Sequence, residues 1–208
     1  MKLKGLFGIV VVLGMLGGCA GMSQQECMVS DWRTVGYEDG ARGANADGIG
    51  RYRKTCAKHG VSPDFDASQA GRAEGLRAFC QPGNGFDFGA RGGSYRGICP
   101  SDLEADFLAS YQDGRVLNEL ESGVRSVDQQ IAARNRELED LAKELRDTEA
   151  TLIADETSTE ERVLLVLDIK ALSERIGAVE NEVMDLQRHR AVRAQELAQY
   201  RQTLAGAY

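Results

Sequence analysis

Apolar residues in the C-terminal half of the chain recur at alternating steps of three and four. The first such seam consists of Leu117, Leu120, Val124, Val127, Ile131, Leu138, Leu141, Leu145 and Leu152, and Arg134 and Thr148 occupy its two remaining positions. The second consists of Leu165, Ile169, Leu172, Ile176, Val179, Val183, Leu186, Leu197, Tyr200 and Leu204. This spacing is the heptad repeat of coiled-coil helices, so it predicts two long amphipathic helices.

The two seams are in mirror phase, because opposed positions have residue numbers that add to one constant, 317. Leu152 is opposite Leu165 in this register, since 152 and 165 add to 317. The polar stretch between the seams ends with Ser158 and Glu161 at the spacing of a capping box, which starts a helix. The pattern favours an antiparallel hairpin. The alternative is a continuous rod that dimerises in parallel and carries the polar stretch through its seam.

Two arginines interrupt the second seam near the root of the predicted hairpin. In the mirror register Arg190 faces Val127 and Arg193 faces Val124. One interpretation is that the aliphatic stems cover the valines while the guanidinium groups reach outward to an acid such as Glu121 or Asp128. The other is that the hairpin is open at this layer, so that these two valines and two arginines form a candidate partner-binding site.

The N-terminal half differs in composition, because residues 27–113 hold most of the glycines, all three prolines and the only tryptophan. Polar capping residues and glycines predict short helices at 30–43, 49–59 and 66–79. The stretch from Gln81 to Pro100 is expected to be a glycine-rich loop. We therefore expect a small, loop-rich head domain.

Four cysteines, Cys27, Cys56, Cys80 and Cys99, form an even set in this head. In an exported protein such a set forms disulfides, and four cysteines allow three connectivities. We favour Cys27 with Cys56 and Cys80 with Cys99, because local pairing closes two separate loops. A metal site from these cysteines and His59 is the alternative, but it lacks the close C-x-x-C pairs typical of zinc ligands. We therefore expect no metal and no cofactor.

An aromatic residue followed three positions later by glycine recurs in the head. The pairs are Tyr37 with Gly40, Phe86 with Gly89 and Tyr111 with Gly114, and a related segment at Gly71 has Ser68 in the aromatic position. Residues three apart share a helix face, so the glycine allows close packing beside the ring. The alternative is a platform that binds a glycan or peptide, with the candidate residues Trp32, Tyr37, Phe86 and Tyr95.

The first eighteen residues combine a positive start with a short apolar run. Lys2 and Lys4 precede an apolar run that is too short to span a bilayer as a helix. Leu16, Gly17, Gly18 and Cys19 then resemble a lipobox, which implies cleavage after residue 18 and lipid on Cys19. Ala20 stands where an aspartate would resemble an inner-membrane retention signal. This resemblance predicts an outer-membrane lipoprotein that faces the periplasm.

Charge and the inventory of side chains argue against several functions. The formal charge is −7, and removing Lys2 and Lys4 with the signal makes it −9, so we expect no nucleic-acid partner. A serine or cysteine nucleophile needs a histidine base, and His59 is the only histidine of the head. The head has no G-x-S-x-G turn, and its aspartates are scattered without a spacing that singles out an acid and a base. We therefore expect no enzyme activity.

The head contains a series of motifs in a fixed order, namely Asp31-Trp32, Gly36-Tyr37-Glu38-Asp39-Gly40, Gly75-Leu76 with Cys80, Gly89-Ala90-Arg91-Gly92, Tyr95-Arg96-Gly97-Ile98-Cys99-Pro100, Phe107, and Tyr111-Gln112-Asp113-Gly114-Arg115. These ordered motifs resemble the bacterial lipoprotein family catalogued as domain of unknown function 2799. The resemblance implies a lipidated envelope protein with this layout. It implies no activity, substrate or catalytic residue.

These patterns predict a mainly α protein with a disulfide-stabilised, glycine-rich head and a long antiparallel coiled-coil hairpin. The expected parts are a signal peptide at 1–18, a lipidated tether at 19–26, the head at 27–113, and the hairpin at 114–205 with its tip near 153–160. The expected function is a non-catalytic envelope scaffold or docking protein. The alternative is a periplasmic glycan- or peptide-binding module, with peptidoglycan as a contact, or a hydrolase built on the head.

Overall fold

The computed structural model describes residues 22–207, so the predicted signal peptide and Cys19 lie outside the described residues. Within 22–207 the chain forms seven α-helices, one 3-10 turn (Ala57–His59) and no strand. The helices are α1 (Gln24–Val29), α2 (Trp32–Ala41), α3 (Gly48–Cys56), α4 (Phe65–Phe79), α5 (Pro82–Ala90), α6 (Ser101–Ile153) and α7 (Thr159–Ala207). The predicted mainly α class is confirmed.

The chain divides into two compact units, and the division differs from the expected boundary near Asp113. The first unit contains the described residues up to Cys80 together with Arg96–Leu103, and the second contains Gln81–Tyr95 together with the chain from Glu104 onward. Asp113 itself lies inside α6, which continues without a break from the end of the predicted head into the predicted hairpin.

The first unit is built on a close helix pair, α2 and α4, whose starts follow from local side-chain caps. Asp31 accepts a hydrogen bond from the Arg33 amide at 3.1 Å, and Asp64 accepts one from the Ala67 amide at 2.9 Å. Each carboxylate satisfies an amide that the first turn leaves without a helical partner. The three short helices predicted in this region are confirmed, and α1 is an additional helix that crosses the predicted boundary between the tether and the head.

Glycines bring the backbones of α2 and α4 into contact. A Cβ at Gly36 would lie 2.0 Å from the Ser68 carbonyl oxygen, and one at Gly71 would lie 1.9 Å from the Arg33 carbonyl oxygen. Those distances are far too short for any side chain, so only glycine allows this approach. The glycine pattern of the sequence is therefore used for helix packing in this unit.

Both predicted disulfides lie in the first unit. Cys27 pairs with Cys56 and Cys80 pairs with Cys99, which is the local connectivity favoured from the sequence. Cys27 and Cys56 are buried with Trp32 in one cluster, against which Val35, Ile49 and Tyr52 pack. The first disulfide is thus the centre of the small core of this unit.

The prediction that the stretch from Gln81 to Pro100 is a loop was wrong for its first half, because Pro82–Ala90 forms α5. Pro82 lies in the first turn of α5, where proline replaces an amide that has no partner. Gly85 and Gly89 would lower helix propensity on their own. In the second unit they pack against the backbone of α6, since a Cβ at Gly89 would lie 2.2 Å from the Tyr111 carbonyl oxygen. Tertiary packing therefore stabilises a helix that local propensity disfavours.

Both units contain small residues at the same four-residue spacing. Gly36 with Gly40 and Gly85 with Gly89 have this spacing, and Gly40 and Gly89 each begin a Gly-Ala-Arg-Gly segment. The last glycines of these segments, Gly43 and Gly92, have positive φ angles of 67° and 76°. Such left-handed glycines end helices without strain. Both Gly-Ala-Arg-Gly segments of the sequence are therefore helix ends.

The hairpin of the second unit has the predicted register. Arg190 binds Asp128, whose residue numbers add to 318, and Arg134 binds Glu182, whose numbers add to 316. The apolar seam residues of both helices are buried or half-buried, and Val179 is completely buried. The chain reverses between Ile153 and Thr159, inside the predicted tip. An antiparallel hairpin, rather than a continuous rod, is the structure of this region.

Candidate functional site

Arg190 and Arg193 interrupt the second seam, and we call this interruption the polar gap. It lies on the surface of the hairpin. Val124 and Val127 are half-buried, whereas Arg190 and Arg193 are exposed. The Arg190 Nε donates to the Asp128 carboxylate at 2.5 Å, as the outward-reaching interpretation expects. Arg193 instead binds Glu196 on its own helix, at 3.5 Å, and not Glu121. The two arginines therefore lie along the rim of the seam, and their ion pairs are exposed to solvent.

A groove of about 400 Å³ opens at this gap. It is lined by Val127, His189, Val192, Arg193 and Glu196. A second groove of about 470 Å³ lies along the same pair of helices toward the tip and includes Ala133, Arg134, Glu182 and Leu186. The surface at the gap combines apolar side chains with charges of both signs. Such a surface fits a segment of another protein better than a small molecule, because it is shallow and open.

Ion pairs across the hairpin continue from the gap toward the tip. The Glu137 carboxylate accepts hydrogen bonds from Arg175 at 2.6 Å and from Arg134 at 2.5 Å. The bond from Arg175 is the main cause that lowers the pKa of Glu137 below its ordinary value. Hydrogen bonding with Asp128 raises the pKa of Arg190 in the same way. Both shifts favour the charged forms of Glu137 and Arg190, whose ion pairs join the two helices.

The tip is held by a residue that the sequence did not single out. Arg162 donates to the carbonyl oxygens of Leu152 at 2.8 Å, Ala154 at 2.8 Å and Thr157 at 3.1 Å. These carbonyls belong to the end of α6 and the turn, where helical partners are absent. The signal that could have found Arg162 is a lone cation directly after a predicted capping box. Ser158 indeed caps α7 by accepting from the Glu161 amide at 3.2 Å.

In the first unit, the candidate platform residues have packing roles to different degrees. Trp32 is buried and lies 6.0 Å from the ring of Tyr52, measured between ring centroids. Tyr37 is exposed on α2. Tyr52 also contacts the buried carboxylate of Asp39, and burial, followed by this negative charge, raises the pKa of the Tyr52 phenol. Of the two candidate platform residues in this unit, Trp32 and Tyr37, Tyr37 is the one whose side chain is exposed.

In the second unit, Tyr95 and Phe86 are half-buried. Tyr95 donates from its hydroxyl to Glu104 at 2.7 Å, and its ring lies 5.2 Å from that of Phe107. Tyr111 is buried beside them and donates to the Gly93 carbonyl oxygen at 2.9 Å. Phe86 lines a groove of about 470 Å³ with Gly83, Asn84 and Asp87. Phe86 is therefore a candidate platform residue of the second unit whose ring borders a groove.

Residues 22–207 contain neither a cluster of metal ligands nor a helix suited to spanning a membrane. No group of three histidine, cysteine or acidic side chains in this range is arranged to hold a metal ion. His59 is exposed, and the four cysteines are paired with one another. Among the helices between these residues, none has a stretch long and apolar enough for a membrane span.

Comparison with known families gives one result. Residues 31–116 match the family described as protein of unknown function (DUF2799), which confirms the resemblance drawn from the motifs of the head. The matched range ends near the root of the hairpin and includes the glycine-packed segments of both units. Neither the comparison with curated proteins nor that with solved structures finds a match.

Proposed function

We propose that this chain, whose residues 31–116 match the DUF2799 family, is a non-catalytic lipoprotein of the outer membrane. In this proposal it faces the periplasm and acts as a scaffold or docking protein through its hairpin. The observation that carries the proposal is the hairpin itself, whose helices of 53 and 49 residues form an open groove at the polar gap, within the length of both helices. At about 1.5 Å per residue, a helix of 53 residues is about 80 Å long.

The composition of the hairpin favours docking over catalysis. Its faces carry both charge signs, and its interhelical ion pairs keep two long helices aligned without a large core. An extended, open surface of this kind offers many shallow contacts to a protein. Such surfaces are typical of proteins that bind other proteins along a helix.

Export is supported by the disulfides. Structural disulfides persist in the oxidising compartments outside the cytoplasm, and two of them stabilise a unit whose aliphatic core is small. Together with the lipobox-like residues that end at Cys19, they favour an envelope location.

If lipid on Cys19 anchors the chain, replacing Cys19 should change the cell fraction in which the chain is found. Cys19→Ser should move the chain from the membrane to the soluble periplasmic fraction, because the acyl chains are then absent. Cell fractionation and labelling with a fatty acid would measure this. Ala20→Asp is the matched control, since it keeps the lipid and should move the chain to the inner membrane. Cys19→Ser protein that stays in the membrane fraction would contradict the anchor.

Docking at the polar gap predicts that Arg190→Leu with Arg193→Leu loses a partner while the hairpin is kept. The ion pairs that disappear are exposed and contribute about 0–1 kcal/mol each, whereas leucine adds apolar contact in the seam. Helix content and melting temperature should therefore be kept or raised. Cross-linking in cells, followed by mass spectrometry, would compare partners of the variant and of the wild type.

Arg188→Leu is the control for this experiment, because Arg188 is on the same helix and binds Asp185 on the surface. A partner that the double variant keeps would place docking elsewhere on the chain. A double variant that is less stable as a monomer would show that the seam has been assigned wrongly.

A second candidate function is a glycan- or peptide-binding module on the head. The groove beside Phe86 favours it, because half-buried aromatic rings at a groove are typical of sugar and peptide sites. In this case the partner would be peptidoglycan or an envelope peptide. Cosedimentation with peptidoglycan that Phe86→Ala abolishes would support this candidate over docking by the hairpin.

A further inference from the structure

The first turns of α7 are apolar on all sides, although only one side is covered. Residues 163–167 are five consecutive apolar residues, and Leu165 is the one that belongs to the seam with α6. The other four are largely exposed, namely Val163 at 60%, Leu164 at 62%, Val166 at 53% and Leu167 at 58%. A helix that is apolar all round is normally buried all round. We call these four residues the outer patch.

The outer patch lies opposite the seam and is flanked by one acid and one base. Glu160, Val163, Leu167 and Lys170 follow one another at steps of three, four and three, so they share one helix face. From Glu160 to Lys170 the order along this face is acidic, apolar, apolar, basic, and Lys170 also pairs with Glu174, one turn further on, at 3.8 Å on the exposed surface. When a second helix of the same sequence runs in the opposite direction, the order is complementary to itself.

We propose that the outer patch binds the outer patch of a second copy of this chain, with the two α7 helices antiparallel. In this arrangement Val163 of each copy packs on Leu167 of the other, and Glu160 of each faces Lys170 of the other. Leu164 and Val166 cover the two edges of the contact. The contact is isologous and therefore closes as a dimer with twofold symmetry. The inference goes beyond the proposed docking at the polar gap, because it concerns a different surface of α7.

The register of this dimer is specified by the sequence. A shift by one heptad in one direction would place Val163 against Glu160, and a shift in the other direction would place it against Glu174. Both shifts would bury an acid against a valine, which is unfavourable. The antiparallel register described above is the one that pairs apolar with apolar and acid with base.

Four side chains from each copy make a small contact. It falls below the area of about 1,200 Å² that stable interfaces bury, so the dimer is weak when the chain is free in solution. Anchoring both copies in one membrane would raise their effective concentration and favour the dimer. A basic segment of another protein could also match the acids near the tip, and the experiment below distinguishes this occupant.

The test is cysteine cross-linking of the full-length chain in bacterial cells. Val166→Cys brings two thiols together across the proposed twofold axis, so a bis-maleimide should give a product of twice the chain mass. Met184→Cys is the matched control, because Met184 is equally exposed at 53% on the same helix but lies outside the outer patch. Adducts with other proteins alone, or equal yields at both positions, would overturn the dimer.

A charge exchange in the Val166→Cys background tests the register. Glu160→Lys alone and Lys170→Glu alone each place like charges together, so each should lower the cross-linked yield about tenfold. The double exchange restores opposite charges and should restore the yield. A double variant as poor as the singles, with normal helix content, would overturn the antiparallel register. Should Glu160→Lys alone reduce helix content, Lys170→Glu and the double variant still provide the comparison.

These outcomes are independent of the proposed docking function. A chain that fails to cross-link to itself at Val166, but still loses its partner when Arg190 and Arg193 are replaced, keeps the docking role and loses the dimer. A chain that forms the dimer and has no partner at the polar gap loses the docking site and keeps the dimer.

Discussion

Replacing both Cys27 and Cys56 with alanine is expected to lower the free energy of unfolding of the first unit by about 3–4 kcal/mol. The disulfide closes a loop with a sequence separation of 29, and a cross-link of that size restricts the unfolded chain by about this amount. Both sulfurs also lie in the cluster with Trp32, so alanine leaves a gap in a core that has few other residues.

The only tryptophan reports this transition. Trp32 is buried in the same cluster, so its fluorescence in increasing urea follows the unfolding of the first unit.

Wild-type protein should show no free thiol on Cys27, Cys56, Cys80 or Cys99 before reduction, and should contain no stoichiometric zinc. Free thiols on these four residues in the folded protein, together with bound metal, would contradict the disulfide framework.

Gly40→Ala is expected to destabilise the first unit by about 1–3 kcal/mol, although alanine favours helix more than glycine does. A Cβ at Gly40 would lie 2.3 Å from the Arg72 carbonyl oxygen and 2.8 Å from the Leu76 amide nitrogen. Both atoms belong to the backbone of α4, so α2 and α4 must move apart to accept the methyl group. Urea unfolding measured by Trp32 fluorescence would detect the loss.

Gly50→Ala is the matched control, because Gly50 is also helical and a Cβ there meets nothing within 4 Å. This variant should be more stable by about 0.5–1 kcal/mol, through helix propensity alone. If Gly40→Ala were as stable as Gly50→Ala, the close contact between α2 and α4 would be refuted. Loss of ligand binding by Gly40→Ala at unchanged stability would favour the platform interpretation of the aromatic and glycine pattern.

The glycine segments also show how a local pattern can be interpreted too narrowly. From the sequence, Ser68 stood where an aromatic residue was expected before Gly71. In the structure the small residues that matter at α4 are Gly71 and Gly75, spaced like Gly36 and Gly40 on α2. The aromatic residue is secondary to this spacing, because the carbonyl oxygens of the opposite helix lie where a Cβ would be.

The sequence predicted part of the candidate docking site. The mirror phase of the two seams predicted that Arg190 and Arg193 would lie opposite Val127 and Val124, and the seam has this register. Which acid each guanidinium binds could not be predicted, because several carboxylates lie within reach of a flexible side chain. Arg190 binds Asp128, whereas Arg193 binds Glu196.

The sequence by itself determined the parts of this protein whose structure depends on local periodicity. Heptads over two long stretches specify two helices, because each burial position repeats with the helix. Their mirror phase favoured an antiparallel hairpin over a continuous rod, and the structure has the hairpin. Capping aspartates specify where α2 and α4 start, and the even, spaced cysteines favoured the two disulfides that the structure has.

Only the tertiary structure decided the parts whose stability comes from neighbours distant in the chain. Pro82–Ala90 is helical because Gly85 and Gly89 approach the backbone of α6, and no local signal outweighs the low helix propensity of glycine. The division into two units likewise depends on which helices the glycines bring together. A change in composition suggested a boundary near Asp113, but α6 continues through this residue without a break. Composition reports what residues a segment contains, whereas the boundary depends on which distant backbone each segment can approach.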